Sequence, residues 1–403
     1  MLDVSEIITT NSLHIRFQPV VSIKHICVFG FEALCYAEYK GKYIPAVELF
    51  DSAREAHLIS YLDHACIEKA VQSFSEFESR ENLLLFINFE SSQIDDEYTD
   101  TEFIFSQCRK ARISPENVVI EIIESKVLND QKLLSFVSFY KKHGFSIAID
   151  DFGAGYSNLS RLALISPAII KVDKSLAENI ENDSMKEAIV TSLAKLSQNI
   201  GAIFLVEGVE TESAAMKAVQ AGAELLQGFY ISRPEQNLQK IAEQAQNTIK
   251  KIMALTDHET VKIMQKELTI RQKHIDTMKK ITLMLSAASS RLFEYILLNL
   301  YQPSDNCECA YIMDEQGIQI TDTIMYRTDT TRKGNKLFRP AEKWSTHFQE
   351  PYFYMPFLSG SAYITDRYIS GASGKNCITI SLPFPCSGKD YYFCSDFSVL
   401  PGS

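Results

Sequence analysis

The sequence predicts an α/β fold: a TIM-like (β/α)8 barrel, then a long connector helix, then a small α+β domain. Three observations predict it. Short apolar runs alternate with amphipathic stretches up to about residue 236. Residues 237–300 contain no Gly or Pro and are rich in Lys, Glu, Gln and Ile. After residue 300 the texture changes to Tyr, Phe, Thr, Gly and Ser with turn signals. The chain therefore divides into 1–236, 237–300 and 301–403.

The apolar runs of the first part are LLLFIN (83–88), VVIEII (118–123), SIAID (146–150), IIKV (169–172), IFLVE (203–207) and ELLQGFY (224–230). Between them lie helical patterns such as KLLSFVSFYKKHG and AIVTSLAKLSQNIG, each ending at a Gly that suits a helix C-cap. Strand and helix in alternation predict parallel strands joined by crossovers. Six or more such units in about 230 residues point to the barrel, with a doubly wound open sheet as the competing arrangement. In the second part Val261, Met264, Leu268, Ile275, Met278 and Leu285 follow steps of three and four, interrupted by Arg271 and Thr282. That stripe fits a helix lying on its own chain or a dimeric coiled coil. In the third part AYIMDEQGIQIT and SGASGKNCITISLPF read as strands and turns of an antiparallel domain of about 100 residues. Trp344 reads as a core position there, with a pocket-lining position as the alternative.

Composition narrows the function. With 46% hydrophobic and 23% charged residues the chain is neither disordered nor of low complexity. A net charge of −11 argues against a surface that tracks polymeric nucleic acid. No apolar run reaches the roughly 18 residues of a membrane span, and MLDVSEIITTNS lacks a signal-peptide pattern, so the expected compartment is the cytoplasm. Nine scattered Cys, an odd number, read as reduced thiols.

The informative pattern is where polar residues fall. Glu32 closes VFGFE, Asn88 closes LLLFIN and Glu121 sits inside VVIEII. Asp150 and Asp151 follow SIAI, Lys171 follows AII, Glu207 follows IFLV and Gln227 follows ELL. Singly, Glu32 reads as a solvated edge residue, Asn88 as a turn residue and Lys171 as a surface charge. Their recurrence at the same end of strand after strand is different, because barrel enzymes place their chemistry on that face. Five gathered carboxylates repel unless cations sit among them, and oxygen ligands with one Asn carbonyl suit Mg²⁺ or Mn²⁺. The expected chemistry is phosphate-ester hydrolysis at a hard-metal site with two ions about 3.5–4 Å apart.

These residues lie in segments that resemble the EAL domain family, the cyclic di-GMP phosphodiesterases of bacteria. The segments are FQPV (17–20), EAL (32–34), EIIES (121–125), DDFGAGYS (150–157), KVD (171–173), VEGVET (206–211) and QGFYISRP (227–234), spanning roughly residues 14–236. The resemblance implies hydrolysis of cyclic di-GMP to linear pGpG. It implies that Glu32, Asn88, Glu121 and Asp150 hold one Mg²⁺ or Mn²⁺, and that Asp150, Asp151 and Glu207 hold a second. It makes Lys171 the residue that orients the attacking water, with Glu207, Glu210 and Gln227 completing the catalytic network. Gln18, Leu34, Tyr36 and Asp173 are the implied substrate contacts, and Glu124 anchors the loop Phe152–Ser157.

Two positions depart from the family's pattern. Cys35 and Tyr36 stand where Leu and a phosphate-binding Arg are common, and losing such a contact costs about 1.5–3 kcal/mol. Glu90 stands where the pattern has Ser, and strand alternation is expected to turn it from the site. The alternative to an enzyme is thus a cyclic di-GMP receptor that signals through its C-terminal domain. That domain resembles the PAS-like or Cache-like domain of some Firmicute EAL proteins, which implies a sensory or dimerisation module, an unknown small ligand and a homodimer.

Overall fold

The structure is a computed structural model, and it describes residues 2–399 except 11, 97–99, 101, 155–158, 305 and 328–336. Two compact units divide the chain, Met1–Thr260 and Val261–Ser403.

The first unit is built on nine strands: β1 (Leu13–Ser22), β2 (Cys27–Tyr39), β3 (Lys42–Pro45), β4 (Leu84–Asn88), β5 (Val118–Ile122), β6 (Ser146–Phe152), β7 (Ile169–Val172), β8 (Ile203–Val206) and β9 (Leu225–Leu226). Their order is β1-β9-β8-β7-β6-β5-β4-β2-β3, and β1 also pairs with β2, which closes eight of them into a barrel. The expected barrel is thus present, with one correction to its strand directions. Strand β1 runs antiparallel to both neighbours, while β2 and β4 to β9 are parallel. Only residues 23–26 separate β1 from β2, and a parallel crossover needs about a dozen.

The inside of the barrel is filled in rows. Val20, Phe86, Val119, Ala148, Ile169, Leu205 and Leu225, one from each of seven strands, form a buried apolar plug. The eighth strand contributes Gly30, where a Cβ would come within 2.4 Å of the Leu84 carbonyl oxygen and 2.9 Å of the Phe86 ring. Glycine here makes room for Phe86. Outward residues such as Phe31, Leu85, Ile120 and Ile147 pack against helical residues including Phe74, Phe136 and Tyr140.

A helix runs from Leu238 to Ala287. Ile241, Ala245, Ile249 and Ile252 are buried in the clusters of the first unit, and Met278, Ile281 and Leu285 in the core of the second. The helix stops well short of residue 300, because Ser289 is extended and the Ser-rich run SAASS disfavours helix. A separate helix, Phe293–Asn299, follows. The apolar stripe is buried only in its later half, since Val261, Met264 and Leu268 are exposed.

The second unit is an antiparallel sheet of β10 (Cys307–Asp314), β11 (Ile324–Met325), β12 (Tyr363–Ile364), β13 (Tyr368–Ile369), β14 (Asn376–Cys386) and β15 (Lys389–Ser398), ordered β11-β10-β15-β14-β12 with β13 also on β14. Phe293, Ile296 and Leu297 pack on one face, and Phe353 from the helix Pro351–Ser359 on the other. Trp344 is not a core residue. Its φ of +76° turns the chain outward and leaves the indole 69% exposed, with the Lys343 ammonium over the ring. All nine cysteines are free thiols. Among the described residues no helix is long and apolar enough to cross a membrane.

Candidate active site

Strand alternation builds the site directly on the apolar plug. Two residues beyond each plug position, and so on the same inward face, stand Gln18 on β1, Glu32 on β2, Asn88 on β4, Glu121 on β5, Asp150 on β6, Lys171 on β7, and Glu207 and Gln227 just past β8 and β9. Since β1 runs the other way, its polar residue precedes Val20 instead of following it. The register confirms the row, pairing Gln18 with Glu32 and Asn88 with Glu121.

Lys171 is the hub, only 1% exposed. Its Nζ lies 2.5 Å from Glu121 Oε1, 2.6 Å from Glu207 Oε1, 3.1 Å from Asp150 Oδ1 and 3.7 Å from Glu32 Oε2. Glu32 also accepts hydrogen bonds from Asn88 Nδ2 at 2.7 Å and Gln227 Nε2 at 2.5 Å. Gln227 Nε2 donates to Gln18 Oε1 at 3.2 Å as well, and Gln18 Nε2 to the Ser232 carbonyl at 3.4 Å.

The electrostatics follow from burial and this crowding. Burial opposes the charge on Lys171, but Asp150, Glu121, Glu207 and Glu32 outweigh it and hold its pKa well above the ordinary lysine value. Burial and the Glu32 charge push Glu121 well above the usual carboxylate range. Burial likewise pushes Glu207 up to about 8. Glu32 meets the same burial penalty, yet Lys171, Asn88 and Gln227 bring it below its ordinary value.

Asp151 joins through a backbone irregularity. The β6 to β7 register slips between Ile149 and Phe152, and Asp151 takes a left-handed φ of +53°, which Asp tolerates better than most residues. Oxygens of Asp150, Asp151 and Glu207 then lie within 4.8 Å of one another. Both Glu121 oxygens and Asp150 Oδ1 are buried without an aligned hydrogen-bond donor, even though the Lys171 ammonium is close. Hard oxygen donors with lone pairs to spare fit a divalent cation such as Mg²⁺, Mn²⁺ or Ca²⁺.

Other expected residues lie around this cluster. Leu34 lines a cavity of about 360 Å³ with Glu32, Asn88 and Glu121. Tyr36 is buried, its hydroxyl accepting from Gln236 Nε2 at 3.0 Å. Asp173 caps the short helix Lys174–Ala177, accepting from the Ser175 amide. Glu210 is exposed and makes no hydrogen bond or ion pair among the described residues, so the structure does not bring it into the cluster. Glu124 opens a 3-10 turn, while its side chain and residues 155–157 of its loop lie outside the described residues. Glu90 does not turn from the site. Strand β4 ends at Asn88, so alternation no longer governs position 90, and Glu90 lines the same cavity with Arg54 3.4 Å away. The sequence reading missed Arg54, and no local motif marks it.

A parallel barrel with one reversed strand and a carboxylate-rich inward row defines a class, and the chain belongs to it: residues 2–234 match the family model described as EAL domain. The uncharacterized EAL-domain containing protein YkuI of Bacillus subtilis is 24% identical over 398 residues, covering 95% of this chain and 94% of YkuI. The YkuI crystal structure, solved with substrate c-di-GMP and calcium, superimposes with a TM-score of 0.80 over 99% of this chain and 100% of that one at 21% identity, a likeness of fold. BlrP1 of Klebsiella pneumoniae, solved with calcium and c-di-GMP, is 28% identical with a TM-score of 0.52, covering 56% of this chain and 57% of BlrP1. The probable cyclic di-GMP phosphodiesterase PdeI of Escherichia coli is 28% identical over 231 residues, 56% of this chain but only 29% of PdeI.

Proposed function

We propose that the barrel is a metal-dependent phosphodiesterase that hydrolyses cyclic di-GMP to linear pGpG. The observation that carries the reading is the single inward row of Glu32, Asn88, Glu121, Asp150, Lys171 and Glu207 on consecutive barrel strands. Glu32, Asn88, Glu121 and Asp150 would hold one ion, and Asp150, Asp151 and Glu207 a second, with Mg²⁺ or Mn²⁺ the expected metals. Bound there, such ions supply Lewis acidity that makes water nucleophilic at neutral pH and offsets phosphate charge. Lys171 holds the attacking water by donating from Nζ, and Gln227 fixes Glu32 in place. The water oxygen bonds to phosphorus, the P–O3′ bond breaks, and the 3′ oxygen leaves with a proton, giving the 5′-phosphate of pGpG. Support comes from BlrP1 in complex with manganese and the cyclic dinucleotide, and from PdeI.

The test is chromatographic detection of pGpG from the whole chain with Mg²⁺ or Mn²⁺. Product is expected, with loss in Glu32→Ala, and an intact dinucleotide under every metal refutes the reading. One observation favours a second reading, a receptor without efficient turnover: position 36, where a phosphate-binding Arg is common in the family, holds an uncharged and buried Tyr. Calorimetric binding without hydrolysis would select it.

The second unit we read as a PAS-like sensory or dimerisation domain, and the exposed Val261, Met264 and Leu268 as part of a homodimer contact. Light scattering at twice the chain mass is expected, and the single chain mass would exclude a dimer.

A further inference from the structure

We propose that Arg16 reads a phosphate at the barrel mouth, its guanidinium binding one phosphodiester of the cyclic dinucleotide from strand β1. This rests on the function proposed above.

The β1 to β2 register pairs Gln18 with Glu32, Arg16 with Leu34 and His14 with Tyr36. Alternation therefore sets Arg16 on the same inward face as Gln18, one row nearer the mouth than the carboxylates. A ligand with two phosphodiester anions meets mostly acids there. Lys171 is engaged by four carboxylates, Arg54 by Asp51 and Glu90, and Lys126 sits 3.9 Å from Glu90. Arg16 is only half-buried and has no carboxylate within ion-pair distance among the described residues.

Its orientation is set in advance. The guanidinium carbon lies 4.1 Å from the centre of the Tyr36 ring and 5.2 Å from that of Tyr43, and the two rings are themselves 5.3 Å apart. Tyr36 is in turn held by burial and by Gln236. Aromatic contact uses the face of a guanidinium and leaves its in-plane N–H edge for an anion, which suits bidentate hydrogen bonding to two phosphate oxygens. In this arrangement Tyr36, without charge of its own, serves as the platform for Arg16. A surface arginine resting on a tyrosine for packing alone would show the same stacking but would not affect nucleotide affinity.

The experiment is titration calorimetry of cyclic di-GMP into the whole chain with Ca²⁺, comparing wild type, Arg16→Gln and Arg16→Lys. Arg16→Gln is expected to weaken binding about ten- to a hundredfold, the loss of one charge-assisted contact. Arg16→Lys should recover part of it, because the charge remains but the fork is lost. Ca²⁺ binding without nucleotide should be unchanged in both variants. A dissociation constant for Arg16→Gln within twofold of wild type would overturn the inference, as would a loss accompanied by an equal loss of Ca²⁺ binding. Wild-type protein that binds no cyclic di-GMP would instead overturn the proposed function, and this inference with it.

Discussion

Replacing Lys171 by Met should destabilise the metal-free protein and make it more dependent on divalent cations. The side chain is 1% exposed, and three carboxylate oxygens lie within 3.1 Å of its Nζ, with Glu32 at 3.7 Å. Methionine fills most of the volume but leaves those carboxylates facing one another in a buried row. Removing one partner of a buried ionic cluster costs about 3–5 kcal/mol. At about 2–4 °C per kcal/mol for a unit of this size, the melting temperature in EDTA should fall by about 6–20 °C. A cation that binds only the folded protein adds about 2.7 kcal/mol at a hundredfold excess over its dissociation constant. That gain should be larger in Lys171→Met than in wild type, where the ion must displace an ammonium from the same oxygens. Thermal unfolding followed by circular dichroism, in EDTA and in millimolar Ca²⁺ or Mn²⁺, measures both quantities. A melting temperature for the variant in EDTA within about 2 °C of wild type would refute the reasoning, and so would equal cation gains in the two proteins.

Two further outcomes follow from buried groups beside the site. Burial raises Asp63 to about 7 from 3.8, so the folded state keeps a proton that the unfolded chain releases. Its contribution is therefore unfavourable and grows as pH rises from about 4 to 7, reaching about 4 kcal/mol above that window. Asp63→Asn, which can still accept from Gln93, should be more stable than wild type at pH 8 and equally stable near pH 4; a gap independent of pH contradicts this. At Gly228 a Cβ would lie 2.2 Å from the Val209 oxygen and 2.3 Å from its nitrogen, which no side-chain motion relieves. Gly228→Ala should cost more than the usual 1–3 kcal/mol of overpacking, and a wild-type denaturation midpoint would count against it.

The inward row was legible because strand alternation is a local rule. On the parallel strands from β4 to β9 each polar residue stands two positions past an apolar one, and apolar runs with a polar residue at or near their end are visible without any long-range information. The direction of β1 was harder to see, since it depends on the length of the link at 23–26 and not on the pattern of the strand. Glu90 was misjudged because β4 stops at Asn88 and alternation was carried past the strand's end. Trp344 was read as core because an indole is costly to expose, and a positive φ at a single residue leaves no trace in composition. The long helix was legible from its missing Gly and Pro, whereas its stop at Ala287 is marked only by a Ser-rich run, a weaker signal in sequence than a Gly or Pro. Arg16 carries no motif. Its place over Tyr36 arises from the diagonal of an antiparallel pair, which needs the register between two strands.

Lys171 and Arg16 divide the electrostatic work by depth. Lys171 sits in the carboxylate row itself, where it offsets mutual repulsion and where any incoming divalent ion must compete for Glu121, Asp150 and Glu207. Its interaction with the site is therefore expected to weaken as metal enters, which would free its N–H groups for the water of the reaction. Arg16 lies one row outward, held by rings rather than acids, so metal binding leaves its donors unchanged. The consequence is an ordered dependence. Substitution of Lys171 should alter metal affinity and turnover together, whereas substitution of Arg16 should alter nucleotide affinity at fixed metal affinity. If both variants shifted metal and nucleotide binding in parallel, the division by depth would be wrong, and the mouth would behave as one undivided electrostatic site.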